Sequence, residues 1–433
     1  MEKEAGIYRK ETEKVIQSFA NTSPYKIVST KSSKFVEGVA LLFAIRAITF
    51  VWLAFSAGGY MPLYEKLILI IRYSTILIGP LYLAYQGKLE KKNNVILIPL
   101  LYYFLMLVLN TYGGYEGSYI HELVSISVFI FMSDAMKMRV FHYFYKIILY
   151  SCAISILLYP AILLGLPIGF ETVPFVNDGV ETSVYLKWFI FGIVGDGQWG
   201  LPRLCGIFNE PGGLGTVCAL LYVATYSYSK LYEKIILLLA IILSFSVAGF
   251  LLVFVFYALH YIRKGWKYFI PLGLLVAFVL IAPTIDWGDE FVNNFVARFE
   301  ITDEGIAGDD RVKPEFEQLY NEVWNSNDVF FGKGATYGND MGTSSYKNLI
   351  IQFGVFGFGL YFILWLFAML STAKKNRDCL ILLLLFIISL YQRPVPITSS
   401  YGYVLLIGGF LTIRYWRING FKNELINTKK ALR

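Results

Sequence analysis

The chain has 433 residues, of which 56% are hydrophobic and only 16% charged. A water-soluble domain carries about a quarter of its residues as charges, so this composition excludes an ordinary soluble protein. The net charge of +7 does not point to nucleic acid either. Most of the basic residues fall in short groups between apolar runs, the positive-inside pattern of a membrane protein, rather than in one patch.

In chain order, residues 1–35 are polar and lysine-bearing and read as a cytoplasmic segment, not a cleavable signal peptide. Apolar runs follow at roughly 36–57, 65–86, 95–112, 120–136, 146–165, 212–229, 234–247, 248–262, 268–285, 345–372, 378–393 and 401–416. A run of about 20 apolar residues spans a hydrocarbon core near 30 Å. In lipid its backbone amides must bond within the segment, so such runs are helices. The expectation is an all-α polytopic membrane protein of about 12 transmembrane helices. It comprises a cytoplasmic segment 1–35, a single transmembrane domain 36–416 and a basic cytoplasmic tail 417–433.

The cytoplasmic groups expected from this topology include Lys88, Lys91 and Lys92; Lys137, Arg139 and Lys146; Lys230 and Lys234; Arg263, Lys264 and Lys267; and Lys374, Lys375 and Arg377. Parity decides one stretch. Residues 235–262 are continuously apolar, long for one span and short for two, yet basic groups lie on both sides. The chain must cross twice or dip and return, and Ser244, Ser246 and Gly249 are the expected breakpoint.

This topology leaves two long outer loops, 166–211 and 286–344, where an active site can be held. In the first, residues 185–191 are apolar enough to lie in the membrane interface. In the second, Phe316, Leu319, Tyr320, Val323 and Trp324 fall on one helical face that should pack down on the membrane or the protein. No internal repeat of the kind that halves a 12-span transporter is evident. The four cysteines have neither metal nor disulfide spacing.

Basic residues placed beyond the outer face oppose the charge rule and call for a reason. Arg203, Arg298, Arg311, Lys333 and Arg393 are among them, and Arg46 and Arg72 lie within spans. An arginine offers a planar charged fork that matches phosphate oxygens. The plainer alternative is pairing with nearby acids. For Arg46, near mid-span, either a cavity or an acid such as Asp134 is required.

The segment Arg203-Leu204-Cys205-Gly206-Ile207-Phe208-Asn209-Glu210-Pro211 resembles the R-x-x-G-x-F-x-E-P signature of the O-antigen polymerase (Wzy-type) and O-antigen ligase superfamily. The turn Phe331-Gly332-Lys333-Gly334 and the run from Asn348 to Gly354 and Gly357 are similar to that family's G-x-G turn and following span. Two departures favour a polymerase over a ligase. The stretch before the late span, Thr343-Ser344-Ser345-Tyr346, lacks the ligase histidine, and the family's Ser-Arg-Gly break is here Ser246-Val247-Ala248-Gly249.

The resemblance implies a membrane glycosyltransferase in a bacterial cytoplasmic (inner) membrane. It would join undecaprenyl-diphosphate-linked oligosaccharide repeat units into O-antigen or capsular polysaccharide at the outer face. The expected partners are that lipid-linked substrate, membrane lipid, a flippase and a chain-length regulator, with no nucleic acid. No cofactor and no metal is expected, because the first outer loop, from Gly58 to Tyr64, has no acidic residue. Arg203, Arg298 and Arg311 are the expected diphosphate ligands, with Arg72, Arg393 and Lys333 as further candidates. Glu210 is the leading base for the acceptor hydroxyl and His121 the outsider. A lipid-linked oligosaccharide flippase, or the ligase itself, is the alternative.

Overall fold

The computed structural model describes residues 33–49, 62–87, 89–90, 94–109, 118–164, 166, 171–177, 180–188, 191–195, 203–208, 210–261, 265, 273, 281, 285, 288, 301–302, 305–306, 314–334, 337, 346–391 and 397–417. Helices dominate. The first four are α1 (Lys34–Ile48), α2 (Pro62–Gln86), α3 (Leu97–Leu109) and α4 (Ser118–Phe131). The chain then reverses into α5 (Asp134–Leu163). Ser133 caps α5, its hydroxyl accepting from Met136 N at 3.3 Å, and the Ser133 N–H donates to Gln86 Oε1 at 2.9 Å. The cap satisfies one of the amides that a helix start leaves open.

Next come β1 (Glu171–Asn177), β2 (Val180–Trp188), β3 (Phe191–Gly195) and β4 (Arg203–Gly206), one antiparallel sheet in sequential order. Glu171 pairs with Lys187, Asn177 with Val180 and Trp188 with Phe191. The expectation of an all-α chain is therefore corrected in the first outer loop, and residues 185–188 and 191 belong to strands rather than to an interfacial segment. The physical reason lies in composition. Glu171 to Gly195 is rich in Val, Thr, Phe, Tyr and Ile, residues that suit a pleated surface. Asp178-Gly179, between the paired residues Asn177 and Val180, is a dipeptide favoured for two-residue hairpin connections.

The sheet feeds α6 (Pro211–Thr225), followed by α7 (Leu231–Leu243) and α8 (Val247–Tyr261). The expected break in residues 235–262 is present. Helix α7 ends before Ser244, Phe245 takes a positive φ of 47°, and α8 begins at Val247. Helix α6 lies at the centre of the molecule, with every residue except Gly212 buried. Both α7 and α8 pack against it. A Cβ at Gly215 would overlap Ser246, and one at Gly249 would stand 2.9 Å from Gly215 O. Glycine at both positions lets the elbow seat directly on the first turn of α6.

After two short strands, β5 (Ile301–Thr302) and β6 (Gly305–Ile306), come α9 (Pro314–Trp324) and the single turn α10 (Asp328–Phe331). Helix α9 is the expected amphipathic one. Phe316, Leu319 and Val323 are buried against Ile351, with Tyr320 beside them, whereas Trp324 is exposed. It packs on the protein. Helices α11 (Tyr346–Ala373) and α12 (Arg377–Leu390) follow, then α13, which starts at Ser400–Tyr403, passes through a π-helical turn at Val404–Gly408 and continues to 417.

Residues 66–86 of α2, together with α5 and α11, are long and apolar enough to cross a membrane; α4, α6, α8 and the stretch 94–108 are shorter apolar helices. Most described residues of the expected spans are helical, but Met132 and Ser133 break the expected span 120–136 and only three helices reach spanning length. The end of the first span, most of 268–285 and most of the loop 286–344 lie outside the described residues.

One boundary differs instructively. The expected spans leave 137–145 as a basic loop, but these residues form the first turns of α5. The basic side chains here turn inward and find acids: Lys137 meets Asp134 at 3.6 Å, Arg139 meets Glu37 at 3.4 Å, and Lys146 pairs with Glu233. Arg377 likewise donates to the carbonyls of Leu259 and His260. The helix reversals gather these basic groups at one end of the bundle. The opposite end carries the C-terminus of α1, the N-termini of α4, α6, α11 and α13, and the α7–α8 elbow.

Candidate functional site at the less basic end of the bundle

Three polar assemblies occupy that end. The first is built on the strand β4, the start of α6 and the elbow. Arg203, on β4, is half-buried and donates through Nε and Nη2 to the carbonyl oxygen of Ser244, both at 3.2 Å. Sequence reasoning named Arg203 but not this acceptor. Gly206 leaves β4 with φ +58°, turning the strand over Ser151 and Ser155 of α5, whose hydroxyls are buried without a hydrogen-bond partner.

Glu210 is the residue before α6, extended at φ −143° and ψ 139°, and its side chain makes no capping bond. Its carbonyl starts the helix, accepting from Leu214 N at 3.2 Å. Pro211, preset for a first helical turn, follows it. The first motif is thus a compact corner. A guanidinium and a carboxylate flank the N-terminus of the most buried helix, and the Ser244–Ser246 elbow closes over it. Ser246 Oγ reaches Gly212 O at 3.4 Å and accepts from Gly249 N at 3.2 Å.

The second assembly joins the glycine turn to α11. Helix α11 is interrupted at Gly354, with φ 69° and ψ 175°. The segment Phe330–Gly334 crosses the gap. Lys333 N donates to Ile351 O at 2.7 Å and Gly334 N to Gln352 O at 3.1 Å, so carbonyls freed by the break are satisfied by the turn. Gly332 (φ +75°) and Gly354 face each other's backbone so closely that a Cβ on either would overlap the other strand. The two weaker parts of the sequence motif are therefore one structural unit. Lys333 Nζ lies 5.2 Å from the Tyr337 ring centroid, a cation–π contact rather than an ion pair. Nearby, Lys347 pairs with Glu317, and burial holds the Tyr320 phenol above its ordinary value, with Tyr346 and Glu317 adding to it.

The third assembly links α1, α2, α4 and α13. Arg46 pairs with Glu122, not with an acid such as Asp134, which sits at the opposite end of the bundle beside Lys137. Arg46 also donates to Thr49 Oγ1 at 3.1 Å, and Glu122 accepts from Ser400 N at 3.0 Å and Ser400 Oγ at 2.8 Å. Arg72 and His121 are within electrostatic reach of this group. His121 stands edge-on to Tyr73 at 5.1 Å. Thr75 and Ser125 join α2 to α4 at 3.3 Å just below.

Of the expected site residues, the structure brings Arg203 and Glu210 to one corner and Arg72 and His121 to another, with Lys333 on the α11 break. Arg298, Arg311 and Arg393 lie outside the described residues. Glu122 and Ser400 were not singled out as site residues from sequence. Glu122 carried a signal, since it is an acid beside His121 near a helix start, in an otherwise apolar segment. Among the described residues no group of three or more His, Cys, Asp or Glu side chains converges as metal ligands would.

These features define a mostly helical protein with helices long and apolar enough for a membrane. No family model matches the chain, and no curated protein and no solved structure shows similarity to it.

Proposed function

We propose that this protein is a membrane glycosyltransferase that polymerises polyprenyl-diphosphate-linked oligosaccharide repeat units. In this reading it crosses a bacterial cytoplasmic membrane about twelve times, with both termini and the paired basic end in the cytoplasm and the three polar assemblies outside. No nucleotide sugars exist there, so the donor must arrive activated on its lipid. The acceptor hydroxyl attacks the anomeric carbon of the donor sugar. The bond from that carbon to the diphosphate oxygen breaks, the diphosphate keeps the electron pair, and the hydroxyl proton passes to a base.

The observation that carries the reading is the corner of Arg203 and Glu210 at the start of α6. A guanidinium fixed by Ser244 O is preorganised to receive negative charge, and Glu210 stands in the same motif to take the proton. Arg298 and Arg311 complete the proposed diphosphate grip from the second loop. Purified protein given a synthetic diphosphate-linked repeat unit, without added metal, should yield a ladder of products. A null strain separates the alternatives. Loss of a polymerase leaves single repeats on the surface, loss of a flippase leaves almost nothing outside, and loss of a ligase leaves polymer on its carrier. Either of the last two phenotypes refutes the reading.

A further inference from the structure

The apolar stripe along α11 does not end where that helix breaks. Phe356, Leu360, Ile363, Phe367 and Leu370 are all exposed and recur at helical spacing. They form one face of a helix long and apolar enough to cross a membrane. At about 1.5 Å per residue this face is roughly 21 Å long, about 9 Å short of a 30 Å hydrocarbon core. It stops just before Lys374 and Lys375 at the basic end, so the missing length lies at the other end, past Gly354. There Phe330 and Phe331 of α10 take over. Phe330 stacks on Phe356 with ring centroids 5.4 Å apart, and Phe331 approaches the same ring at 6.0 Å. Both are exposed, Phe331 at 68%.

Phenylalanine rings held in mutual contact and left uncovered call for an apolar partner. The backbone that carries two of them is fit to enter lipid, where each N–H must find an acceptor within the protein. Phe330 N donates to Asn327 O at 3.3 Å and Gly332 N to Asp328 O at 2.6 Å. Lys333 N and Gly334 N donate to Ile351 O and Gln352 O. One core thickness, about 20 residues, back from Leu370 places the lipid boundary near Ile351, beside Lys333. Lys333 and Tyr337, joined by their cation–π contact, therefore stand at that boundary, where a long cation and a phenol suit the headgroup layer. We infer that Phe330, Phe331 and Phe356 form a membrane anchor, inserted in the lipid leaflet at the less basic end of the bundle. Through it α10 dips into the margin of the hydrocarbon and holds the end of the second loop against the membrane. Continuity with the α11 stripe selects lipid hydrocarbon as the occupant over a second copy of the chain. The anchor requires α11 to cross a membrane but requires nothing of the proposed chemistry.

The test uses the purified full-length protein in phosphatidylcholine–phosphatidylglycerol vesicles, with a nitroxide label on one introduced cysteine at a time. Phe331→Cys is the anchor position, Ile363→Cys the lipid-facing reference and Asn325→Cys the aqueous reference, all three at exposed sites. The four native cysteines are buried, so the label goes to the introduced thiol. Oxygen gathers in hydrocarbon and a nickel chelate stays in water, so power saturation with each reads the label's surroundings. The logarithm of the oxygen-to-nickel collision ratio should be positive at 331 and 363 and negative at 325.

A label at 331 as open to nickel as the one at 325 overturns the anchor. So does a label at 331 shielded from both reagents and broadened by a second spin, which assigns the patch to a second copy of the chain. A water-accessible label at 363 removes the spanning helix on which the anchor stands. An inserted label in a protein that forms no product ladder overturns the polymerase reading instead and leaves the anchor standing.

Discussion

Removing the charge of Glu122 is the sharpest test of how the less basic end is held together. The Arg46 side chain is 4% exposed and that of Glu122 17%, so their pair is shielded on both sides. Glu122→Gln keeps an acceptor for Ser400 but leaves Arg46 charged, buried and facing Arg72. Breaking one side of a buried pair costs about 3–5 kcal/mol. Because Gln preserves part of the hydrogen bonding, the lower figure applies, about 3 kcal/mol. At about 2.1 cal/mol/K of unfolding entropy per residue, that corresponds to a fall in melting temperature of about 3 °C for a chain of 433 residues. Arg46→Met combined with Glu122→Met removes both charges and should recover most of the loss, giving a coupling of at least about 2 kcal/mol in a double-mutant cycle. Thermal unfolding of purified protein in detergent, followed by near-ultraviolet circular dichroism, measures wild type, Glu122→Gln, the two single Met variants and the double variant. A Glu122→Gln protein that melts within about 1 °C of wild type, the range of an inconsequential surface change, would refute the pairing argument.

Other outcomes follow from the same geometry. Arg203→Ala should lower the rate of polymer formation about 10²–10³-fold, the usual effect of losing one preorganised donor to developing charge, with normal protein levels on immunoblot. Arg203→Lys should recover little, because a point charge cannot reproduce the two-donor grip on Ser244 O; full-length chains from the Ala variant would sink the role. Gly354→Ala places a Cβ into the Phe330 backbone at a positive φ and should cost about 1–3 kcal/mol, seen as faster proteolysis between 325 and 345. Phe316→Ala, at a fully buried position, should undock α9 from Ile351 at a cost of about 3–5 kcal/mol, measurable as loss of hydrogen-exchange protection in 314–324 alone.

Legibility in the sequence tracks how local the controlling physics is. The α7–α8 elbow was readable because two basic flanks and a run too long for one span left no other parity. Ser244 and Ser246 then mark where the backbone bends, whereas Gly249 lies inside α8, against Gly215. The face of α9 was readable because its apolar residues repeat at helical spacing. The sheet was missed because residues 185–191 are apolar without strict alternation, and their partners are strands whose pairing is set across a loop rather than within it. The acid that meets Arg46 was misjudged for a related reason. Spacing along the chain cannot rank acids that lie at opposite ends of a bundle, and only the reversal at Ser133 separates Asp134 from Glu122.

The same reversal explains why unsatisfied cations accumulate where they do. At the basic end Lys137, Arg139 and Lys146 each meet a carboxylate, so charges that flank helices there also stitch α1, α5 and α7 together. At the other end Arg46 uses up Glu122, and Arg72 is left with none among the described residues. A bundle folding for stability alone would fill that position with leucine, as it does at Leu69, Leu77 and Leu81 of the same helix. Keeping arginine there is a cost wherever the helix meets lipid, because an ionised side chain in a span needs water or an anion to meet it.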